Sequence, residues 1–338
     1  MTWKNHLNRR LQAEWYGVSP NRWLLPLEAL FRQAVELRRR AYREGNKPSE
    51  RLRVPVVVVG NLTVGGTGKT PLTIWLAAFL QSRGFRPGIV SRGYGGTAGS
   101  EPLAVDAASD PRRAGDEPVL IARRTGCPVS VFPKRAEAAK ALLANTDCDI
   151  VIADDGLQHY ALARDLEIAV VDGARRFGNG HCLPAGPLRE PPERLRSVDM
   201  VVYSGVDVAE DGYPMALEGG EAVNLLDESL RRPLSAFANQ ALYALAGIGN
   251  PARFFGHLRK FGLDFDGREF PDHHLYSRQD LAFASGANLL MTEKDAVKCR
   301  DFAGPAHWYV PVEARMPPAF GENLLTLLKA KRDGRKTA

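Results

Sequence analysis

A glycine-rich turn that ends in Gly-Lys-Thr follows four consecutive valines, and its residue types suit the binding of nucleotide phosphates. The valines at 56–59 indicate a parallel strand that is buried on both faces. An apolar helix is predicted over 72–80, just after Lys69 and Thr70. Such a turn directs backbone N–H groups and the partial positive charge of a helix N-terminus toward an anion. Lys69 could then contact the β- and γ-phosphates, and the Thr70 hydroxyl could bind Mg²⁺.

The turn departs from the usual P-loop pattern at one position. That pattern has a glycine five residues before Gly68, where this chain has Thr63. The strand before the turn and the helix after it still favour a phosphate-binding loop over a glycine-rich turn that binds no ligand. We therefore predict a nucleotide-binding loop that comprises Thr63, Val64, Gly65, Gly66, Thr67, Gly68, Lys69 and Thr70.

Three aspartates are candidates for metal binding or proton transfer. Asp154 and Asp155 follow an apolar run at 149–153, and the carboxyl ends of parallel strands face the ligand crevice of an α/β sheet. A Mg²⁺-binding aspartate is expected there after a P-loop, although one of the pair could instead cap a helix. Asp116 lies at a predicted helix start, where it could cap the helix or accept a proton from a hydroxyl nucleophile.

Other residues near predicted strand ends could contact a substrate. Arg92 could pair with a phosphate, and Tyr94 could stack on a sugar or pack against an acyl chain. Arg135 offers another anion contact, although each of these residues alone is more often a solvated surface group. His273 and His274 form an adjacent pair behind an aspartate, but no third ligand at a suitable spacing supports a metal site.

Alternating elements must position these residues. Strand-like runs at 88–91, 128–132, 149–153, 168–171 and 200–203 are separated by helical or turn sequence. Strands that alternate with helices predict a mostly parallel, doubly wound α/β sheet. A second α/β unit begins with the run at 242–246. We predict three regions: an N-terminal helical region at 1–47, a nucleotide-binding domain at 48–225 and a smaller α/β domain at 226–338.

Composition and charge restrict the class of protein and its partners. The 338 residues carry a net charge of +6, and four scattered cysteines suggest reduced thiols in a reducing compartment. The N-terminus lacks a signal-peptide core, and no apolar run is long enough to span a membrane. The basic residues cluster near both ends, which suits either a nucleic acid or an anionic membrane surface. No nucleic-acid-binding motif accompanies them, so we expect no nucleic acid as partner.

Residues 20–45 form a candidate amphipathic helix. Pro26 fits its first turn, and an apolar stripe follows at helical spacing, made of Leu27, Leu30, Phe31, Ala34 and Val35. Aromatic residues lie near or before its start, namely Trp3, Trp15, Tyr16 and Trp23. This pattern is typical of a helix in a membrane interface, but a helix packed on the domain with a solvated basic face remains an equal alternative.

Eight stretches, in this order, resemble the tetraacyldisaccharide 4′-kinase family, the lipid A 4′-kinases. They lie at 60–71, 91–94 (Ser-Arg-Gly-Tyr), 115–118 (Gly-Asp-Glu-Pro), 154–159 (Asp-Asp-Gly-Leu-Gln-His), 177–180, 184–190, 272–274 and 292–298 (Thr-Glu-Lys-Asp-Ala-Val-Lys). They are distributed over most of the length of the chain, and together they are far more specific than the glycine-rich loop alone. The variant loop with Thr63 is also a feature of this family.

The resemblance implies that ATP phosphorylates the 4′-hydroxyl of a tetraacylated glucosamine disaccharide 1-phosphate. It also implies a peripheral enzyme on the cytoplasmic face of a bacterial inner membrane, which shifts the N-terminal helix toward membrane contact. Carried over residue by residue, Lys69 and Thr70 would hold the phosphates and Mg²⁺, and Asp154 and Asp155 the metal. Asp116 would be the catalytic base, with His273 orienting it from the second domain. Arg92, Tyr94 and Arg135 would contact the substrate.

Two other classes of protein remain as alternatives. A P-loop ATPase or GTPase could act as an assembly or metal-insertion factor. A GTPase usually carries an Asn-Lys-x-Asp motif, and the run Thr292-Glu-Lys-Asp295 has glutamate in place of the asparagine. A non-enzymatic scaffold at a membrane surface would not need the catalytic aspartates.

Overall fold

A computed structural model describes residues 13–17, 19–97 and 99–336. Within them, nine strands form one sheet and six form another. The helices of this description are α1 (Leu25–Arg43), α2 (Lys69–Ser82), α3 (Pro111–Ala114), α4 (Asp116–Thr125), α5 (Arg135–Asn145), α6 (Pro251–Lys260), α7 (Arg278–Leu281), α8 (Glu293–Cys299) and α9 (Pro318–Lys336). Short 3₁₀ turns lie at Arg22–Leu24, Pro192–Ser197, Leu234–Phe237, Ala282–Ala284 and Arg300–Phe302.

The larger sheet contains the predicted valine strand at its centre. Its strands are β1 (Val56–Gly60), β2 (Pro87–Ser91), β3 (Leu103–Val105), β4 (Val129–Val131), β5 (Ile150–Asp154), β6 (Leu166–Asp172), β7 (Met200–Ser204), β8 (Tyr213–Glu218) and, late in the chain, β15 (Glu313–Arg315). Their order is β15-β8-β7-β6-β1-β5-β2-β4-β3, and only the edge strands β3 and β15 pair antiparallel. The predicted mostly parallel sheet is therefore present.

The central strand is buried on both faces, as the run of valines predicted. Val57 and Val59 pack with Leu72, Leu76 and other apolar residues of α2, α4 and α9. Val56 and Val58 point to the opposite face, where they pack with residues of α5 and of the loops after β5. Because both faces are covered by apolar side chains, the carboxyl edge of the sheet is what remains for polar chemistry.

The smaller sheet consists of β9 (Glu221–Asn224), β10 (Arg231–Pro233), β11 (Leu242–Ala246), β12 (Asp266–Glu269), β13 (Asn288–Thr292) and β14 (His307–Val310). Its order is β10-β9-β14-β13-β11-β12, with β12, β11, β13 and β14 parallel. We call the larger sheet with its helices the first lobe and this sheet with its helices the second lobe. Strand β9 pairs in the second lobe although it precedes the predicted boundary at 225/226, and β15 returns to the first lobe.

Helix α1 lies against the first lobe through one side. The Glu28 carboxylate is buried there, 2.7 Å from Nδ1 of His181, and it accepts the Cys182 N–H at 2.9 Å. Phe31, part of the predicted apolar stripe, packs against the core, whereas Leu27 and Leu30 of the same stripe are exposed. The stripe thus divides between two faces of the helix.

The predicted interfacial aromatics also divide. Trp15 donates from Nε1 to the Pro184 carbonyl at 2.9 Å, and the Arg175 guanidinium lies over the Tyr16 ring. Trp23 is exposed, and Trp3 lies outside the described residues. No helix in the described part of the chain is both long and apolar enough to cross a membrane.

Candidate active site

The glycine-rich loop joins β1 to α2, the strand–loop–helix arrangement that the sequence predicted, and we call it the phosphate-binding loop after its predicted role. Gly68 is the N-cap of α2 with φ +96°, and a Cβ built there would lie 2.3 Å from the Ser204 hydroxyl oxygen. Only glycine fits this backbone conformation and this approach. Lys69 follows as the first residue of α2, with Nζ 3.1 Å from Asn61 Oδ1 and 3.4 Å from Asp155 Oδ1. Its ammonium therefore lies at the carboxyl edge of the sheet, beside the acidic pair.

Hydrogen bonds to neighbouring segments hold the first part of the loop, Thr63 and Val64, in place. The Val64 N–H donates to the Pro187 carbonyl at 2.8 Å, and the Thr63 carbonyl accepts from Asn61 Nδ2 at 2.8 Å. Thr63 is buried. Neither Thr63 nor Val64 lines the 450 Å³ cavity above the loop, where the loop contributes Gly66 to Thr70. Their assignment to nucleotide binding stays a prediction.

A cavity of about 450 Å³ lies between the two lobes above this loop. One wall is the loop from Gly66 to Thr70. The rest of the lining comes from both lobes and includes apolar side chains (Ile74, Leu120, Leu217, Ile248, Phe254, Val310 and Val312) and charged ones (Glu117, Arg253, Lys260, Glu293 and Lys294). A cavity that combines loop backbone donors with apolar side chains suits the phosphates and the base of a nucleotide.

The acidic pair ends β5, and its two carboxylates have different surroundings. Asp154 is buried, its Oδ1 accepts from the Thr73 hydroxyl at 3.0 Å, and its Oδ2 has no hydrogen-bond partner. Burial and the neighbouring carboxylates of Glu117 and Asp155 raise the pKa of Asp154 to about 7. A carboxylate oxygen without a partner in such a place is suited to bind a cation.

Asp155 points elsewhere from a backbone with φ +50°. Its Oδ1 lies 3.2 Å from Arg189 Nη1 and 3.4 Å from Lys69 Nζ. Although burial alone would raise it, these two cations lower the pKa of Asp155, so the carboxylate is ionised. A second cavity, of about 860 Å³, is lined by Lys69, Asp155 and Arg189 together with residues of the second lobe.

Asp116 and His273 come together across the two lobes. Asp116 is the first residue of α4, after the N-cap Gly115, and Nδ1 of His273 lies 2.9 Å from its Oδ1. Asp116 also accepts the Glu117 N–H at 2.9 Å, so part of the alternative capping role is present as well. His273 lines the second cavity, whereas Asp116 is only 3% exposed and lies behind it.

The electrostatics of the pair are strongly perturbed. Burial alone would lower the pKa of the His273 imidazole, but the contact with Asp116 outweighs it and raises the pKa above its ordinary 6.5. Burial would raise the pKa of Asp116, yet Lys294, His273 and Lys298 hold it well below its ordinary value. Perturbed groups that meet beside a cavity make this pair a candidate functional site.

His274 occupies a structural position beside the pair. Its ring lies 4.8 Å from those of Phe270 and Tyr276, and Nε2 is 3.4 Å from the Asp280 carboxylate. Only His273 of the two histidines contacts Asp116 in the described structure. The sequence alone did not distinguish them.

The three predicted substrate contacts have different surroundings. Tyr94 is 63% exposed, lines the second cavity and lies 4.8 Å from the His273 ring. Arg92 is exposed but lines neither cavity among the described residues. Arg135 is buried and donates from Nη2 to the Asp155 carbonyl at 2.7 Å, so it stabilises the backbone of the acidic pair.

Sequence reasoning gave no role to several charged residues of this site. Lys294 Nζ lies 2.9 Å from Glu117 Oε1 and 3.0 Å from Asp272 Oδ1, and Lys298 Nζ lies 3.2 Å from Asp116 Oδ2. Both lysines belong to the stretch 292–298 that contributed to the resemblance. Their position in that stretch was the available signal, but no spacing linked them to Asp116.

The lobes also meet at the phosphate-binding loop. Arg175 donates from Nη2 to the Gly66 carbonyl at 2.9 Å and from Nη1 to the Gly249 carbonyl at 3.4 Å. A Cβ built at Gly249 would lie 2.4 Å from the Gly66 nitrogen. The second lobe therefore contacts the loop itself as well as Asp116.

Comparisons with known proteins found relatives that match most of the chain. The family model described as LpxK, tetraacyldisaccharide-1-P 4′-kinase, matches residues 20–329. A tetraacyldisaccharide 4′-kinase of Nitrosococcus oceani is 54% identical over 316 residues, covering 93% of each chain. One of Aeromonas hydrophila is 52% identical over 328 residues, covering 96% of this chain and 97% of the relative.

The fold is similar to that of a solved relative. The crystal structure of LpxK from Aquifex aeolicus in complex with ATP is matched with a TM-score of 0.76 at 28% sequence identity. The match covers 90% of this chain and 98% of that one. The predicted fold class, a P-loop-type parallel sheet with a second α/β domain, is confirmed.

Proposed function

Because the chain belongs to the tetraacyldisaccharide 4′-kinase family, we propose that its two cavities bind ATP and the acylated disaccharide side by side. The family and the reaction predicted from the sequence are confirmed: the chain is a kinase of lipid A biosynthesis that phosphorylates the 4′-hydroxyl of a tetraacyldisaccharide 1-phosphate. ATP is its phosphoryl donor. The alternative of a P-loop ATPase or GTPase that acts as an assembly or metal-insertion factor is not favoured.

One contact carries the proposed mechanism, that between Asp116 and His273 at the edge of the second cavity. We assign the proton on His273 to Nδ1, which then donates to Asp116 and leaves Nε2 as an acceptor. The 4′-hydroxyl transfers its proton to Nε2 as its oxygen bonds to the γ-phosphorus of ATP and the bond to ADP breaks. Asp116 then stabilises the imidazolium that forms.

This division of labour differs from the one the resemblance implied. There Asp116 was the base and His273 the orienting group. The exposure of the two groups favours the reverse, since His273 lines the cavity and Asp116 lies buried behind it. We propose that the two act as a unit in which the imidazole faces the substrate.

Lys69 and the loop from Gly65 to Thr70 would bind the phosphates. In this structure the Lys69 ammonium lies between Asn61 and Asp155, close to the second cavity. A γ-phosphate beside it would gain a charge-assisted contact where negative charge develops during transfer. Tyr94 would contact the sugar or an acyl chain from its exposed position beside His273.

Mg²⁺ fits the residues at the carboxyl end of β5. Asp154 Oδ2 is buried without a hydrogen-bond partner, and the Thr70 hydroxyl is at the start of α2. Among the described residues, no three His, Cys, Asp or Glu side chains lie close enough together to hold a metal ion. Phosphate and water oxygens would therefore complete the coordination of Mg²⁺. Thr70 and Asp154 would hold the ion, with Asp155 nearby, and the ion would neutralise charge on the phosphates.

A membrane-facing role for α1 is supported by its exposed side. Leu27, Leu30 and Leu37 are 53%, 63% and 67% exposed, and their spacings of three and seven residues place them on one face of the helix. Trp23, which is 90% exposed, lies in the 3₁₀ turn just before the helix. Of the arginines of this helix, Arg38 and Arg40 flank this face. We propose that it enters the interface of the inner membrane from the cytoplasmic side, where the acyl chains of the substrate remain.

Transfer of label from γ-radiolabelled ATP to tetraacyldisaccharide 1-phosphate in detergent micelles tests the function. Wild type should label the lipid, and Lys69→Ala should lose most of the rate because the phosphates lose their cation. GTP in place of ATP should label the lipid poorly. Release of inorganic phosphate without lipid labelling would contradict the kinase and favour an NTPase.

A further inference from the structure

A buried lysine of the second lobe lies between two carboxylates, one from each lobe. Lys298 is in α8, and its side chain is 3% exposed. Its Nζ lies 3.2 Å from Asp116 Oδ2 in the first lobe and 3.0 Å from Asp295 Oδ1 in its own helix. An ammonium removed from water in this way requires its charge partners, so its position depends on both.

Asp295 is firmly held within the second lobe. Its Oδ2 accepts the Gly247 N–H at 2.9 Å and the Thr292 hydroxyl at 2.6 Å, and its Oδ1 accepts the Tyr276 hydroxyl at 3.1 Å. With both oxygens satisfied, this carboxylate has little freedom to rotate. The ion pair with this immobile carboxylate therefore fixes the position of the Lys298 ammonium beside Asp116.

The other charges around Asp116 are engaged differently. His273 Nδ1 lies 2.9 Å from Oδ1, on the side of the cavity. Lys294 is 3.9 Å from Oδ1 and makes shorter contacts, at 2.9 Å with Glu117 and 3.0 Å with Asp272. His273 Nδ1 also lies 3.2 Å from Oδ2, so the imidazole contacts both oxygens of the carboxylate, and Lys298 is the close lysine, at Oδ2.

We infer that Lys298 is a positioning residue for phosphoryl transfer, whose contact with Oδ2 fixes the orientation in which the Asp116 carboxylate meets the His273 imidazole. The inference rests on the proposed role of the Asp116–His273 pair. Without the ammonium, the carboxylate is free to turn toward Lys294, and the imidazole loses its fixed partner. Because Lys298 and His273 both belong to the second lobe, the pair is complete only when the lobes meet.

A double-mutant cycle tests this role. Single-turnover phosphoryl transfer is measured for wild type, Lys298→Met, Asp116→Asn and the double variant, with Lys298→Arg as the conservative variant. We expect Lys298→Met to slow transfer roughly 10²-fold, the effect of a displacement of about 1 Å at the reacting groups. Lys298→Arg should recover much of this loss, and ATP affinity should stay within about threefold of wild type in both.

The decisive comparison is in the Asp116→Asn background, where Lys298→Met should cost less than about threefold, because its effect acts through Asp116. An equal loss in both backgrounds would mean a general structural role and would overturn the inference alone. A wild-type rate in Asp116→Asn would instead overturn the proposed catalytic pair, and this inference with it. If melting curves show that Lys298→Met does not fold, Lys298→Gln takes its place in the cycle.

Discussion

The contact between Gly249 and the phosphate-binding loop offers a direct test of whether the lobes must meet for catalysis. In Gly249→Ala the added Cβ would lie 2.4 Å from the Gly66 nitrogen and 3.2 Å from two backbone atoms of Gly65. All three are backbone atoms, so no side-chain rotation can relieve the clash. An ordinary contact needs about 3.4 Å or more, so the second lobe must retreat by about 1 Å.

A retreat of this size would move His273 away from Asp116, because His273 belongs to the second lobe and Asp116 to the first. We expect turnover at saturating ATP and lipid to fall roughly 10²-fold, equivalent to about 2.7 kcal/mol of transition-state stabilisation at 25 °C. The assay is steady-state transfer of radiolabelled phosphate to the lipid, with thermal melting to verify folding.

Gly220→Ala is the matched control in the same lobe. A Cβ there would meet only the Phe261 ring, at 3.8 Å, which is ordinary contact. Its turnover should equal that of wild type. A Gly249→Ala enzyme with turnover within threefold of wild type would refute the requirement for this close approach of the lobes.

Three further predictions concern the membrane, the metal and pH. Leu27→Ser with Leu30→Ser should weaken binding to anionic vesicles about 30-fold in sedimentation, since each half-exposed leucine contributes about 1 kcal/mol on insertion. Asp154→Asn should raise the Mg²⁺ concentration for half-maximal transfer roughly tenfold, because a cation ligand is lost. Transfer at low lipid concentration should rise with pH through the pKa of His273, which Asp116 raises above 6.5, because only the neutral imidazole accepts a proton.

Each of these has a result that would count against it. Gln33→Ser, which lies on the same face of α1 but exchanges one polar side chain for another, serves as the membrane control. Equal vesicle binding by the leucine variant and wild type would exclude an inserting face. An unchanged Mg²⁺ titration would remove Asp154 from the metal site. A rate that stays constant from acid to alkaline pH would show that His273 is not the proton acceptor.

Local sequence patterns were sufficient for the fold and for the strand–loop–helix backbone around Lys69. Four valines in a row predicted a strand covered on both faces. In the structure their side chains point alternately to the two faces of the sheet, and each face is covered by an apolar core. Gly68, Lys69 and Thr70 act within one turn of backbone, so their placement follows from the strand before them and the helix after them. Asp154 was placed by the rule that strand carboxyl ends form the ligand edge.

Contacts between distant parts of the chain were beyond those patterns. Lys298 reaches Asp116 only because α8 of one lobe packs beside α4 of the other, and no spacing in the sequence encodes that neighbourhood. Arg135 has the same charge as an anion-binding residue, but its guanidinium is buried and contacts the Asp155 carbonyl. The stripe on α1 predicted an apolar face without showing that Phe31 would turn inward and Leu30 outward.

A comparison of Asp116→Asn, His273→Gln and the double variant shows whether the two residues catalyse transfer as a pair. Each is assayed by single-turnover transfer of labelled phosphate to the lipid acceptor, with ATP affinity and thermal melting measured in parallel. If Asp116 acts through the imidazole, the double variant should be no slower than His273→Gln alone, and both should retain wild-type ATP affinity. Losses that multiply in the double variant, or a near wild-type rate in His273→Gln, would contradict a pair that works as one unit.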